Sequence, residues 1–142
     1  MKRLSSIILI DDDSITNFLN ETIIRDAECC EHIHVFQTGV KALDFVSQSI
    51  VYEGREKGFE KNSLILLDLH MPPPDGWTFL KEYLLLPEVN RKKYTIVMLS
   101  ASIDPIDLER AKTIADVSGF YHKPLSHEML MEILHKHLAD HF

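Results

Sequence analysis

Three acidic residues in a row, Asp11-Asp12-Asp13, follow the apolar run Ile7-Ile8-Leu9-Ile10, and a lone carboxylate, Asp68, follows Leu64-Ile65-Leu66-Leu67. Ser100 closes the run from Tyr94 to Leu99, and Lys123 follows Gly119 to His122 and precedes Pro124. Each is a reactive or charged side chain at the end of an apolar segment. Three carboxylates brought together, Asp11, Asp12 and Asp68, repel one another by about 4 kcal/mol per pair at about 4 Å and an effective dielectric of about 20. A divalent cation with oxygen ligands offsets that repulsion. Mg2+ is suited to it, because it binds through one or two carboxylates, keeps several waters and shares a phosphate oxygen. Lys123 adds a second positive charge. A carboxylate in that setting is a nucleophile toward phosphorus, and the surrounding cations stabilise charge on the transferred group. The hydroxyl of Ser100 can donate a hydrogen bond to a new phosphoryl oxygen. Capture of a phosphoryl group on Asp68 is the chemistry to expect.

Such chemistry needs a scaffold that delivers these strand ends to one place. Ser5 to Ile10 is a continuous apolar, mostly β-branched run of the kind buried on both faces of a parallel sheet. After it, Ile15, Phe18, Leu19 and Ile23 recur at helical spacing, with Ser14 or Asp13 as N-cap. His32 to Phe36 alternates polar with apolar and predicts a strand nearer the sheet edge, followed by a helix with Val40, Leu43 and Val46 inward. The charged segment Tyr52 to Asn62, with two glycines and no period, reads as a surface loop. Leu64 to Leu67 forms the central strand, and beyond the proline-rich turn Trp77, Leu80, Tyr83 and Leu84 mark a third helix ending at Pro87. Tyr94 to Leu99 is the fourth strand. Asp104-Pro105 is an N-cap followed by proline at the first helical position, which starts the next helix. Gly119 to His122 is a short fifth strand. Ser126 caps a last helix whose apolar side is Met129, Leu130, Ile133, Leu134, His137 and Leu138, fraying at Asp140-His141-Phe142.

Five strands alternating with five helices predict an α/β domain, a doubly wound parallel sheet with helices on both faces. Right-handed crossovers favour the flavodoxin-like order 2-1-3-4-5. In such folds ligands bind at the carboxyl ends of the strands near the reversal of strand order. Asp11, Asp12, Asp68, Ser100 and Lys123 all fall on that rim.

Composition bounds the rest. At 142 residues with 45% hydrophobic content, the chain has one good core and too little length for two ordinary domains, so 1–142 reads as one domain with its core at about 4–138. The formal charge of −7 lacks the basic footprint of duplex binding, so no direct nucleic-acid partner is expected. The first apolar run is too short for a signal peptide, and no stretch suits membrane insertion. The adjacent pair Cys29-Cys30 has neither staple nor metal-ligand spacing, which fits reduced thiols and a cytoplasmic location.

These residues, in this order, resemble the receiver domain of two-component response regulators. Ile10-Asp11-Asp12-Asp13 is similar to the family's acidic pair, Asp68-Leu69-His70-Met71-Pro72 with Asp75-Gly76 to the acceptor motif, and Ser100-Ala101 and Phe120 with Lys123-Pro124 to the switch motifs. The resemblance covers Leu4 to about Leu138. It implies Asp68 as the phosphorylated residue, Mg2+ held by Asp11, Asp12, Asp68 and the His70 backbone carbonyl, and Lys123 as a phosphoryl contact. Ser100 would be the switch hydroxyl and Phe120 the switch aromatic. His70 and Ser102 would flank the attacking water and set the phosphoryl lifetime. The Lys123-Pro124 bond is expected to be cis. Serine at 100 and phenylalanine at 120 replace commoner residues, and Pro73-Pro74 stiffen the turn; no required atom is lost.

The resemblance further implies a stand-alone signalling phosphoacceptor rather than a turnover enzyme. A histidine kinase or phosphotransfer protein would be its donor and an unidentified protein effector its target. Two other readings stay open. A haloacid-dehalogenase-type phosphatase also uses an aspartyl phosphate but needs a second aspartate where His70 stands, and a pseudo-receiver would bind partners without phosphorylation. His137 and His141, at i and i+4, are expected to be part of a frayed helix end rather than a metal site.

Overall fold

A sheet with strand order β2-β1-β3-β4-β5, every pairing parallel, runs through the middle of the computed structural model, which describes residues 3–53, 62–72 and 75–138. The elements follow as β1 (Leu4–Ile10), α1 (Ser14–Ala27), β2 (Cys30–Phe36), α2 (Gly39–Glu53), β3 (Ser63–Asp68), α3 (Gly76–Tyr83), α4 (Glu88–Arg91), β4 (Tyr94–Ser100), α5 (Pro105–Lys112), β5 (Val117–His122) and α6 (His127–His137). The predicted class and strand order are those observed.

Because successive side chains in a strand point to opposite faces, each apolar run feeds two cores. Ile7 and Leu9 of β1, Leu64 and Leu66 of β3 and Val97 and Leu99 of β4 pack under α1 and α6, against Ile24, Leu130, Ile133 and Leu134. Their neighbours Ile8, Ile10, Ile65, Leu67, Ile96 and Met98 pack on the other side against Ala42, Val46, Phe79, Leu80, Tyr83 and Ala111. Burial on both faces is why these three strands read as continuous hydrophobic runs, whereas β2 at the edge alternates.

Two expectations are corrected, and one helix turns a face inward that its spacing does not name. Five predicted helices become six among the described residues: the third, expected to run to Pro87, ends at Tyr83, and Pro87 is the N-cap of a one-turn α4, anchored by buried Asn90, whose amide donates to the Val46 and Ser47 carbonyls. Val40, expected inward, is exposed, whereas Val46 is buried and Leu43 half-buried as expected, with Ala42 buried beside them. On α1 the apolar residues Ile15, Phe18 and Leu19 face solvent, and the buried face is Asn17, Asn20 and Ile24. The first turns of α1 rise beside the sheet rim, where the group to be met is the Asp11 carbonyl, and the Asn17 amide donates to it at 2.8 Å. A polar face there satisfies backbone that an apolar face would orphan.

Tyr52 and Glu53 turn out to be the last residues of α2, while 54–61 of the expected loop, Pro73-Pro74 and the fraying end with His141 lie outside the described residues. His137 packs its ring edge against Tyr121, with Nε2 2.8 Å from the phenol oxygen. Both cysteines are buried and unbonded to each other. Among the described residues no helix is long and apolar enough to cross a membrane.

Gly76 shows how tightly the turn after β3 folds back. Its N–H donates to the Leu69 carbonyl at 3.2 Å, and a Cβ at this position would stand 2.6 Å from the Asp68 carbonyl oxygen and 2.9 Å from the Leu69 Cα. Both clashes are with backbone, so Gly76→Ala should lower unfolding stability by about 1–3 kcal/mol in urea titration. An unchanged midpoint would show that the strand end gives way freely.

Candidate functional site

Register places the chemistry. Ile10 pairs with Leu67, so Asp11 and Asp68 emerge side by side at the next position of adjacent strands. Ser100 pairs with His122, which sets Lys123 one residue further along the same rim, and the Lys123 N–H donates to the Ser100 carbonyl at 2.8 Å. Asp11 and Asp68 are each only 5% exposed, while Asp12 is open to solvent. One oxygen from each of these three carboxylates lies within 4.8 Å of the others, a cluster of hard oxygen donors that fits a divalent cation. Asp13 stands apart as the N-cap of α1, accepting from the Ile15 N–H at 3.0 Å and from the Thr16 hydroxyl at 2.9 Å, and the Thr16 bond draws its carboxyl below the usual range.

Lys123 reaches into the cluster, with Nζ 2.6 Å from Asp11 Oδ2 and 3.1 Å from Asp68 Oδ1, and the Lys123-Pro124 peptide that follows it is cis, as expected. Burial by itself would lower its ammonium, but hydrogen bonds and charge from Asp11 and Asp68 outweigh that and hold it above the usual lysine range. Asp68 goes the other way from an ordinary carboxylate. Burial first, and then the charge of Asp11, raise its carboxyl, with Lys123 and the His70 N–H only partly compensating. The His70 N–H meets Asp68 Oδ1 at 3.3 Å.

The Ser100 hydroxyl is fully buried and donates to the Ser102 carbonyl at 2.6 Å, while the Ser102 N–H donates back to it at 3.2 Å. It is therefore bonded into the loop after β4. Phe120 is half-buried against the α5 side of the core and lines a cavity of about 190 Å³ with Leu108, Ala111 and Val117. Ser102 and the side chain of His70 are exposed.

The structure thus brings Asp11, Asp12, Asp68 and Lys123 into contact range and sets Ser100, Ser102 and His70 around them. Two contributors are missed by the sequence reading. Asn17 fixes the Asp11 backbone from α1, and Asp107 of α5 reaches across to Trp77 and His70. Asn17 is one helical turn past the acidic run, which is a usable clue; Asp107 is linked to its partners only by the fold.

Comparison with known proteins agrees with the geometry. The family model described as "Response regulator receiver domain" matches residues 7–135. A crystal structure of a two-component response regulator from Cytophaga hutchinsonii superposes with a TM-score of 0.82 at 31% identity, covering 97% of this chain and 99% of that one. A response regulator receiver protein from Dyadobacter fermentans gives a TM-score of 0.76 at 26% identity over 92% of this chain and 95% of its own. Response regulator Rcp1 of Synechocystis sp. is 26% identical over 102 residues, 72% of this chain and 65% of that relative, so the match spans less than two thirds of Rcp1. The Mn2+-bound form of Rcp1 shares the fold with a TM-score of 0.68 at 24% identity, over 92% of each chain. By the extent of the family match and the Cytophaga likeness, the chain belongs to the response regulator receiver domains of two-component signalling.

Proposed function

We propose that Asp68 accepts a phosphoryl group from a phosphohistidine of a kinase or phosphotransfer protein, and that the phosphorylated domain then favours a different protein partner. The observation that carries this reading is the buried Asp68 carboxylate with Lys123 Nζ at 3.1 Å and two further aspartates within 4.8 Å. Asp11, Asp12, Asp68 and the His70 backbone carbonyl would hold Mg2+, and a relative, Rcp1, has a Mn2+-bound form. The ion supplies charge neutralisation for the phosphoryl oxygens.

In the transfer, an Asp68 carboxylate oxygen bonds to phosphorus as the phosphorus–nitrogen bond of the donor breaks. The imidazole keeps the bonding pair and later takes a proton from solvent. Lys123 stays against the transferred group and offsets the growing charge. Phosphorylation places a group carrying about −1.5 to −2 charge beside Ser100. The Ser100 hydroxyl leaves Ser102 for a phosphoryl oxygen, and Phe120 turns further into the cavity beside α5. His70 and Ser102 line the water's approach and set the lifetime of the acyl phosphate. Two conformations exchange, and phosphorylation shifts their populations. Exposed Ile15, Phe18 and Leu19, on the α1 turns next to Asp13, form an apolar surface that a docking donor protein would cover. A receiver of this kind acts in the cytoplasm as a signalling acceptor, not as a turnover enzyme.

Incubation with Mg2+ and acetyl phosphate, followed by intact-protein mass measurement, should show one phosphoryl group added to wild type and none to Asp68→Ala. Lys123→Ala should slow the gain by about 100-fold or more, as loss of a preorganised cation does elsewhere. Absence of any gain would favour a binding module that works unphosphorylated, and rapid turnover of organic phosphates would favour a phosphatase.

The raised Asp68 carboxyl also has a stability consequence. A carboxyl whose folded pKa lies above its unfolded value of about 3.8 binds more protons when folded, so stability falls as pH rises through that window. Its ionised form costs stability at neutral pH. In Mg2+-free protein, Asp68→Asn should raise stability at pH 7, the gain vanishing once the pH drops below the carboxylate range. A melting temperature unchanged at pH 7 would contradict the assignment of strain to this carboxylate.

A further inference from the structure

A second polar cluster lies beside the first and joins parts of the chain that the phosphoryl chemistry treats as separate. Asp107, in the first turn of α5, accepts from the Trp77 indole N–H through Oδ1 at 3.3 Å and faces His70 Nε2 through Oδ2 at 3.6 Å. Arg110, one turn on, lies over the Trp77 ring with its guanidinium carbon 4.2 Å from the centroid. Trp77 opens α3, and His70 stands two residues after the acceptor with its backbone N–H on Asp68. Three elements therefore meet at Asp107: the acceptor loop, α3 and α5.

The packing of α5 makes that junction matter. Along its length the helix fully buries Ala111 alone, Leu108 is half-buried, and Ile106 faces solvent at 75% exposure. A helix with so little buried apolar surface is cheap to displace, and movable elements are drawn from the weakly packed end of a structure. With little apolar surface holding it, the hydrogen bond and cation–π contact to Trp77 are a substantial share of what fixes α5 relative to the acceptor loop. Contacts of that kind are each of the order of the energy needed to bias a helix between two positions.

Resting on the reading of Asp68 as the acceptor, we propose that Asp107 is a positioning residue whose bond to Trp77 couples the occupied state of the acidic cluster to the placement of α5. Whatever Mg2+ or a phosphoryl group does to the loop after Asp68 is passed through His70 and Trp77 to Asp107. Coupling of this kind is reciprocal, so holding α5 also tightens the cluster's grip on its ligand. Trp77 is the sole tryptophan of the chain and lies at the junction, so its emission reports the link directly.

The test uses wild type, Asp107→Asn and Asp107→Ala, with hydrogen exchange of the 105–112 amides, Trp77 emission and calorimetric Mg2+ titration. In metal-free protein, Asp107→Ala should speed exchange across 105–112 and leave α6 unchanged, which tests the tie without reference to function. In wild type, Mg2+ should change both α5 exchange and Trp77 emission. In Asp107→Ala both responses should disappear, and Mg2+ affinity should fall by about 3- to 10-fold. Asp107→Asn keeps an oxygen that accepts from the indole and should behave as wild type. Equal α5 exchange and equal Mg2+ responses in Asp107→Ala and wild type would overturn the proposal, as would Asp107→Asn matching Asp107→Ala, since a charge effect needs no bond. Acetyl phosphate treatment of the same wild-type sample separates the two readings: no phosphoryl gain there overturns the acceptor assignment while the α5 responses judge the link alone.

Discussion

Lys123 holds its ammonium against Asp11 and Asp68 at the ends of two neighbouring strands, and nearly everything else in the domain serves to keep those three groups together. Two buried carboxylates at this separation would drive each other apart or neutralise by protonation; the shared cation lets both stay. The compensation is partial. With Asp12 counted, three carboxylates face one ammonium, and the remaining double negative charge is what a single divalent cation would neutralise. The Asp68 carboxyl, pushed above its usual range, is the residual cost of that arrangement.

The sheet makes the arrangement unavoidable once it forms. Parallel pairing with Ile10 beside Leu67 and Ser100 beside His122 brings Asp11, Asp68, Ser100 and Lys123 to one rim without any of them being chosen by its own local preference. Burial of β1, β3 and β4 on both faces holds that register, because a slip of one residue would exchange the contents of the two cores. On one flank Asn17 ties the Asp11 backbone to α1, and on the other His70, Trp77 and Asp107 tie the Asp68 loop to α5. Both flanks are held at the rim by polar contacts, and the second buries less, since α1 sinks Asn17, Asn20 and Ile24 whereas α5 sinks Ala111 alone.

How much of this could be read from residue order follows from the kind of force involved. Continuous apolar runs ending in Asp11, Asp68, Ser100 and Lys123 report strands and rim together, since burial and site share the same segments. The caps at Asp104 and Ser126 were equally plain, being local hydrogen bonds. Apolar spacing finds α1 but not its inward face, since Ile15, Phe18 and Leu19 have helical period yet lie beyond the edge of the core; period states that a helix exists, not which face is inward. Val40 fails for the same reason. The one-turn α4 is below the length at which period has meaning. Asp107 was invisible because its partner Trp77 is 30 residues away and the bond depends on how α3 and α5 are set.

The central claim is that Asp68, and no other carboxylate of the rim, becomes covalently phosphorylated. Reduction by borohydride converts an acyl phosphate, but not a free carboxylate, to the alcohol, so an aspartyl phosphate becomes homoserine. After treatment with acetyl phosphate and Mg2+, reduction and peptide mapping should find homoserine at position 68 and aspartate at 11 and 12, with position 68 unchanged when Mg2+ is withheld. Homoserine at 11 or 12, or aspartate retained at 68 in protein that has gained a phosphoryl group, would contradict the account.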